Sequence, residues 1–427
     1  MKIYCAGIGG IGLSAYAALA QALGHEVSGS DPSDSAVTRD LEARGITVHH
    51  TQDGSGVPAD AELFAFSEAL PPDHPERQAA ARYGIRSVSY FQALGELSKP
   101  SFVIAVCGTH GKSSTTSMCA RMLIDAGKDP TVIVGTRVPE LGGSNWRLGK
   151  SDIFLVEACE YRRSFHYLSP DVVLMTSVDG DHFDAYADVD EYRAAFVDFL
   201  RLLPPDAPVV THGADAACIA VAERAQRRVI DADPLADPVL AVPGAHMRQN
   251  AKLVLGLAGV LGIPDSVARE ALGKFSGTWR RMEVKAVRPD GVTVIDDYAH
   301  HPAEIRATLA AMREAYPGRR IVSVFQPHTH DRTLKLYGDF LTAFGDADMV
   351  VIPNIYDARA FRDSGTVDVE RLTREIGERS GRTVLYGESL ARTEALLRSG
   401  EIVRPGDVLV CMGAGDITRL AATLAQV

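Results

Sequence analysis

The run Gly108-Thr109-His110-Gly111-Lys112-Ser113-Ser114 follows an apolar, β-branched stretch, Val103 to Cys107, and precedes a helix-forming one, Thr115 to Asp125. A strand, a glycine-bounded turn and a helix N-terminus in that order make a cradle for phosphate oxygens. The turn's N–H groups and the positive helix end face the anion, Lys112 reaches the outer phosphates, and the Ser113 hydroxyl suits Mg²⁺. The eight-residue form of this pattern has glycine where Val106 stands, so this is the shorter Gly-Thr-x-Gly-Lys-Ser version. Nucleoside triphosphate chemistry is the expectation.

Other chemistry-bearing groups lie at strand ends. A second glycine turn, Gly7-Ile8-Gly9-Gly10-Ile11-Gly12, follows the strand Lys2 to Ala6, and Asp31 closes the next strand. It lets a diphosphate approach a helix N-terminus, with an acid placed for a ribose hydroxyl. A nicotinamide cofactor, as in an NAD-dependent dehydrogenase, would account for this turn but leave Gly108 to Ser114 idle. Two phosphate turns suggest instead two phosphate-bearing ligands, one a nucleotide-sugar. Glu157 ends the apolar strand that begins at Ile153, where a carboxylate beside a phosphate loop suits a hard cation. In Asp179-Gly180-Asp181-His182-Phe183-Asp184 an imidazole sits among carboxylates, as a metal ligand or general base. Asp296-Asp297-Tyr298-Ala299-His300-His301-Pro302 can hold a ribose diol and a polar substrate. Phe325-Gln326-Pro327-His328-Thr329-His330-Asp331-Arg332 offers the Arg332 fork to a carboxylate.

The elements that must position these groups alternate between strand and helix. An α/β architecture with mostly parallel sheets is expected, with ligands at the carboxyl ends of strands. A chain of 427 residues is too long for one core. Lys99-Pro100 reads as a linker, and the chain changes character again near Arg280-Arg281-Met282-Glu283, giving domains over 1–98, 99–283 and 284–427. A net charge of −11 argues against a nucleic-acid-binding or anionic-membrane surface. Six cysteines without C-x-x-C spacing read as reduced thiols. The N-terminus enters a strand at once, leaving no room for a signal peptide, and no apolar run reaches membrane-spanning length, so the expected address is cytoplasmic.

In order along the chain, these motifs resemble those of the Mur ligases, ATP-dependent enzymes that add amino acids to the peptidoglycan precursor. The likeness extends to His246 with Asn250, Arg281-x-Glu283 and Gly413-Ala414-Gly415-Asp416-Ile417. It implies an N-terminal Rossmann-like UDP-binding domain, a central P-loop ATPase-type domain and a C-terminal Rossmann-like α/β domain that brings the amino acid. The implied reaction joins L-alanine to the lactyl carboxylate of UDP-N-acetylmuramate through an acyl phosphate, with ATP and two Mg²⁺ ions. By the same resemblance, Gly7, Gly9, Gly10, Gly12, Asp31 and Ser67 hold the UDP-sugar. ATP falls to Gly108, Thr109, His110, Gly111, Lys112, Ser113, Ser114, Asn250, Arg281 and Asp297. Ser113, Glu157 and His182 are the implied metal ligands, and Tyr298, His301, His328 and Arg332 the alanine site. Lys112, Glu157, His182 and Arg332 form the implied catalytic set.

The chain departs from the family pattern in places. Cys159 stands where an aspartate is usual, and Thr329 where alanine-adding relatives often carry arginine. Phe196 lies near the position of a carbamylated lysine in several other Mur ligases, which fits the alanine-adding branch. Other readings are a recycling ligase that attaches an intact tripeptide, a relative adding serine or glycine, and a non-catalytic nucleotide-binding relative. The sequence leaves monomer and homodimer open.

Overall fold

The computed structural model describes residues 1–181, 185–357 and 366–426. Its first sheet holds β1 (Lys2–Ala6), β2 (Glu26–Ser30), β3 (Thr47–His49), β4 (Leu63–Phe66) and β5 (Arg86–Ser89), all parallel in the order β3-β2-β1-β4-β5. The chain leaves β1 on one side and returns on the other at β4, so a crevice opens at the carboxyl ends of those two strands. Gly7 and Ser67 face each other there: a Cβ on Gly7 would lie 2.9 Å from the Ser67 Cβ. The helix after the glycine turn, Ile11–Ala22, is buried without a break from Leu13 to Ala20. Its alanines let neighbours close on every side, as a helix covered all round requires.

The second sheet comprises β6 (Phe102–Cys107), β7 (Thr131–Val138), β8 (Ser144–Arg147), β9 (Ile153–Glu157), β10 (Val172–Met175), β11 (Pro208–Thr211) and β12 (Arg228–Asp231). Its order is β12-β11-β10-β6-β9-β7-β8, parallel except for the edge strand β8. The inner strands are near-continuous apolar runs because helices cover both faces. Phe165, Phe196 and Phe199 pack beneath it, with ring centroids 5.1 and 4.3 Å from Phe165. Phe196 is fully buried in this cluster. The third sheet has β13 (Glu283–Val287), β14 (Thr293–Asp297), β15 (Ile321–Phe325), β16 (Met349–Ile352), β17 (Thr383–Tyr386) and β18 (Val408–Met412) in the order β13-β14-β18-β15-β16-β17, with only β13 antiparallel.

The α/β class and mostly parallel sheets are as the alternation implied. The helix expected from Thr115 begins three residues earlier and runs Lys112–Asp125. Gly111 caps it in the left-handed conformation (φ +79), so Lys112, Ser113 and Ser114 already wind into the first turn. Packing divides the described chain into two compact units, Met1–Val239 with Gln249–Ser276 and Leu240–Arg248 with Gly277–Val427. The first unit holds both of the first two sheets. Among the described residues no helix is long and apolar enough to cross a membrane.

Within that unit, Gly95 of the helix Tyr90–Ser98 meets the segment Tyr161–Tyr167, where an added Cβ would sit 2.2 Å from the Tyr167 carbonyl oxygen. Gly95→Ala is therefore expected to lower unfolding stability by about 1–3 kcal/mol, the usual range for overpacking. Urea unfolding of parent and variant measures it; equal midpoints would show that the contact yields freely.

Candidate active site

The phosphate loop is built around a buried ion pair. The Lys112 ammonium donates to the backbone carbonyls of Gly108 and Thr109 and to Glu160 Oε1 at 2.9 Å. The lysine side chain is 14% exposed and Glu160 fully buried. Burial alone would pull the lysine pKa down, but the Glu160 carboxylate outweighs it and holds the ammonium above the usual lysine range. Tyr192 ties the cradle from beneath, its hydroxyl 2.9 Å from Thr109 Oγ1 and 3.4 Å from Glu160 Oε1. Thr109 N–H donates to the Ser177 carbonyl, and His110 N–H to Ser177 Oγ, at 2.9 and 3.2 Å. Gly111 abuts Asn250, since a Cβ there would fall 2.5 Å from the Asn250 side-chain oxygen. The loop is thus pinned before any ligand arrives. Beside Glu160, burial pushes the Cys159 thiol up to about 12.

Ser113 opens toward the end of β9. Its hydroxyl donates to Glu157 Oε1 at 3.0 Å, and the Gly135 N–H on β7 donates to Glu157 Oε2 at 2.7 Å. One hydroxyl and one carboxylate oxygen converging beside a phosphate cradle are hard donors of the kind Mg²⁺ takes, with phosphate and water completing the shell. The residues present fit that ion. His182, Phe183 and Asp184 lie outside the described residues. Asp181, beside them, is 6% exposed.

In the N-terminal crevice, Asp31 Oδ2 accepts the Gly9 N–H at 3.0 Å and Oδ1 accepts that of Ser33 at 3.0 Å. A Cβ on Gly9 would strike the Asp31 carboxyl carbon at 2.6 Å. Gly10 caps the following helix, whereas Gly12 is a packing glycine, its Cβ position 2.7 Å from the Tyr90 ring. Beneath the crevice, the fully buried Glu76 accepts 2.7 Å hydrogen bonds from Tyr4 and Ser30.

In the second unit, loops after β14, β15 and β18 share one end of the sheet. Asp297 is 3% exposed and accepts from Met282 N–H at 2.6 Å, Ala299 N–H at 2.7 Å and Thr308 Oγ1 at 3.3 Å. Burial raises its pKa, opposed by Arg281. Arg281 lies 3.6 Å from Glu304 and over the Tyr298 ring at 5.2 Å. His301 caps the helix Pro302–Ala315 by accepting from Ala303 N–H at 3.2 Å. Tyr298, His300, His328 and Tyr356 form a chain of rings with successive centroids 5.3, 6.0 and 5.8 Å apart. Arg332 Nη1 lies 3.1 Å from His328 Nδ1, so the imidazole orients the guanidinium.

The fold therefore gathers Gly108 to Ser114, Glu157 and Asn250 at one loop, and Gly7, Gly9, Asp31 and Ser67 at one crevice. Asp297, Tyr298 and Arg281 form one group of the second unit, and His328 with Arg332 the adjoining one. Sequence reasoning passed over Glu160, Tyr192, Glu76 and Tyr356. Only Glu160 had a signal, its place as the second acid of the run Glu157-Ala158-Cys159-Glu160.

Three family profiles match the chain: the Mur ligase family catalytic domain over residues 2–101, the Mur ligase middle domain over 106–234 and the Mur ligase glutamate ligase domain over 280–415. A UDP-N-acetylmuramate–L-alanine ligase of Salinibacter ruber is 36% identical over 100% of this chain and 94% of its own length. One of Solidesulfovibrio magneticus is 39% identical over 99% of this chain and 97% of its own. The crystal structure of the UDP-N-acetylmuramate–alanine ligase of Thermotoga maritima superposes with a TM-score of 0.82 at 27% identity, covering 100% of this chain and 98% of that one.

Two tests follow from the geometry. Glu160→Ala strands a buried ammonium and should cost about 3–5 kcal/mol, whereas Lys112→Met with Glu160→Gln should recover most of it. Denaturant unfolding of Glu160→Ala and of the double decides this; a double as unstable as Glu160→Ala would mean the pair is not the source. The second concerns His246, whose burial lowers its pKa to about 4. An imidazole kept neutral when folded but free to protonate when unfolded stabilises fully above about pH 6.5, and its contribution fades as pH falls toward 4. The loss should reach about 3 kcal/mol near pH 4. His246→Asn should flatten unfolding stability between pH 7 and 4.5; an unchanged slope refutes the assignment.

Proposed function

We propose that this chain, which belongs to the Mur ligase family, uses ATP to join L-alanine to the lactyl carboxylate of UDP-N-acetylmuramate. The observation that carries the reading is the preformed phosphate loop with Ser113 and Glu157 converging beside it. Full-length relatives bearing that activity support the choice of substrates.

In this reading residues 1–98 bind the UDP-sugar, 99–283 bind ATP and 284–427 present the amino acid. The loop amides and Lys112 hold the triphosphate so that the γ-phosphorus faces a lactyl carboxylate oxygen. That oxygen takes the phosphoryl group, the bond to ADP breaks, and an acyl phosphate forms. The alanine amine then attacks the acyl carbon, and the tetrahedral intermediate expels phosphate to leave an amide. Positioning and charge neutralisation supply most of the rate in such transfers. Ser113 and Glu157 would hold one Mg²⁺ and His182 would support a second; the bound ions would spread the charge of the phosphates and carboxylate.

Arg332, steadied by His328, would take the alanine carboxylate, with Tyr298 shaping the small side-chain pocket. Asn250 would contact adenine, Arg281 a phosphate and Asp297 the ribose. The cytoplasm, where nucleotide-sugar and ATP are both present, is the compartment such a reaction requires.

ADP formation with UDP-N-acetylmuramate, Mg²⁺ and a panel of alanine, serine, glycine and a muropeptide tripeptide tests the reading. Alanine should be the preferred amine. Lys112→Ala should abolish turnover with UDP-sugar binding intact. Loss of a charge-assisted contact in Arg332→Ala should raise the alanine KM by about 10- to 100-fold. No ADP with any of these amines would end the proposal.

A further inference from the structure

An ammonium carries three hydrogens, and three acceptors already meet that of Lys112: the Gly108 and Thr109 carbonyls and Glu160 Oε1. Every donor is engaged inside the protein. A lysine in this state cannot grip a phosphate oxygen until one of those bonds is given up. The two carbonyls belong to the turn that wraps the phosphates, whereas Glu160 comes from the separate loop after β9. Turning toward a triphosphate therefore draws the ammonium off Glu160 first.

The carboxylate is held where it is. The Glu160 carbonyl accepts hydrogen bonds from the Arg163 N–H at 2.9 Å and from the Tyr186 hydroxyl, which fix its backbone. The side chain is fully buried, so the lysine's departure takes a cation away from a desolvated charge. One donor is already aimed at the oxygen that the lysine vacates. The Tyr192 hydroxyl lies 3.4 Å from the same Glu160 Oε1, long for an O–H···O bond, whose usual length is about 2.7 Å. Its single hydrogen can serve that oxygen because its other neighbour has a hydrogen of its own. Thr109 Oγ1 accepts the Asp179 N–H at 3.0 Å and, 2.9 Å from the phenol oxygen, can donate to it. Donation then runs one way, from the Asp179 N–H through Thr109 and Tyr192 to Glu160. The Tyr192 ring is 1% exposed and packs against Tyr186 and Phe196, with centroids 5.2 and 5.1 Å away, so it stays in place. Burial, with Glu160 beside it, pushes the phenol well above the usual tyrosine range, which keeps it a donor.

Resting on the proposed function, we propose that Tyr192 is a positioning residue for ATP: as Lys112 turns to the phosphates, the Tyr192 hydroxyl closes on Glu160 Oε1 and takes its place. The turn keeps its shape while the ammonium changes partners. The buried carboxylate gains a donor as it loses a cation. In the unliganded protein the lysine makes this bond, so the phenol matters most once nucleotide is bound.

Titration calorimetry on the full chain with ATP and, separately, with UDP-N-acetylmuramate tests it, alongside urea unfolding and ADP-release kinetics. Tyr192→Phe keeps the ring and removes the donor. It should weaken ATP by about tenfold or more, as for a lost hydrogen bond to a charged group. The ATP KM should rise by a similar factor, with UDP-N-acetylmuramate affinity and the alanine KM within about twofold of the parent. Glu160→Gln removes the charge that needs the phenol, so adding Tyr192→Phe to it should change ATP affinity by less than about threefold. Thr109→Val breaks the relay one hydroxyl earlier and should weaken ATP in the same direction. It decides the matter if urea unfolding shows Tyr192→Phe unfolded. Parent-like ATP affinity in the folded variant, or an equal loss in the Glu160→Gln background, refutes the exchange. So does a Tyr192→Phe that loses ATP and UDP-sugar alike, which marks a merely structural tyrosine. A parent that turns over alanine while Tyr192→Phe matches it overturns the exchange alone; a parent that binds no ATP overturns the functional reading with it.

Discussion

A positive charge held in the interior of the phosphate loop is the constraint around which the central sheet is arranged. Lys112 could not stay charged there on its own, because desolvation favours the neutral amine. Glu160 reverses that balance, and its own burial is offset by the lysine and the Tyr192 hydroxyl that meet it. Tyr192 in turn binds Thr109, so the helix Val189–Leu200 that carries it fixes the turn from below. The cradle is consequently rigid before ATP binds, which is what electrostatic catalysis demands of its donors.

Backbone strain gathers around the same chemistry. Arg162 and Arg163, two and three residues after Glu160, adopt left-handed backbone in succession, at φ +50 and +59. Such residues cost on the order of 1 kcal/mol or more each, and persist where surroundings over-determine them. Arg163 has such surroundings: its N–H reaches the Glu160 carbonyl and the Tyr186 hydroxyl, and its guanidinium pairs with Asp198 at 2.9 Å. In the second unit Arg280, Met282 and Thr329 are likewise left-handed, flanking Asp297 and Arg332. Loops that must aim polar groups are bent where helices and strands would not bend them.

Much of this was legible because the informative residues are adjacent in sequence. A strand, a glycine turn, Lys-Ser and a helix are local facts, and the phosphate loop, the Gly7 crevice and the helix at Pro302 follow from them. Phe196, read as a departure from a lysine, proves to be a fully buried core aromatic packed against the rings of Phe165 and Tyr192. What stayed hidden depends on distant pairing. Choosing between Glu157 and Glu160 as the lysine's partner requires the turn after β9, where Glu160 meets Lys112 and Glu157 faces Ser113. Glu76 joins Tyr4 and Ser30 across sequence separations of 72 and 46 residues, and nothing local announces it. His301, expected at the alanine site, also caps a helix, one imidazole nitrogen doing the work that a serine oxygen does at other helix starts.

The pairing of Lys112 with Glu160 has a consequence for the whole site. With the lysine neutralised internally, Glu157 leaves the unliganded loop acidic, in a chain whose net charge is already −11. Two phosphate-bearing substrates and an amino-acid carboxylate must still be brought together. In the proposed reaction, neutralisation would be shared between the loop's dipoles, a metal held at Ser113 and Glu157, and arginines placed away from the loop. Arg332 is oriented by the His328 imidazole, and Arg281 lies beside Glu304 and over the Tyr298 ring.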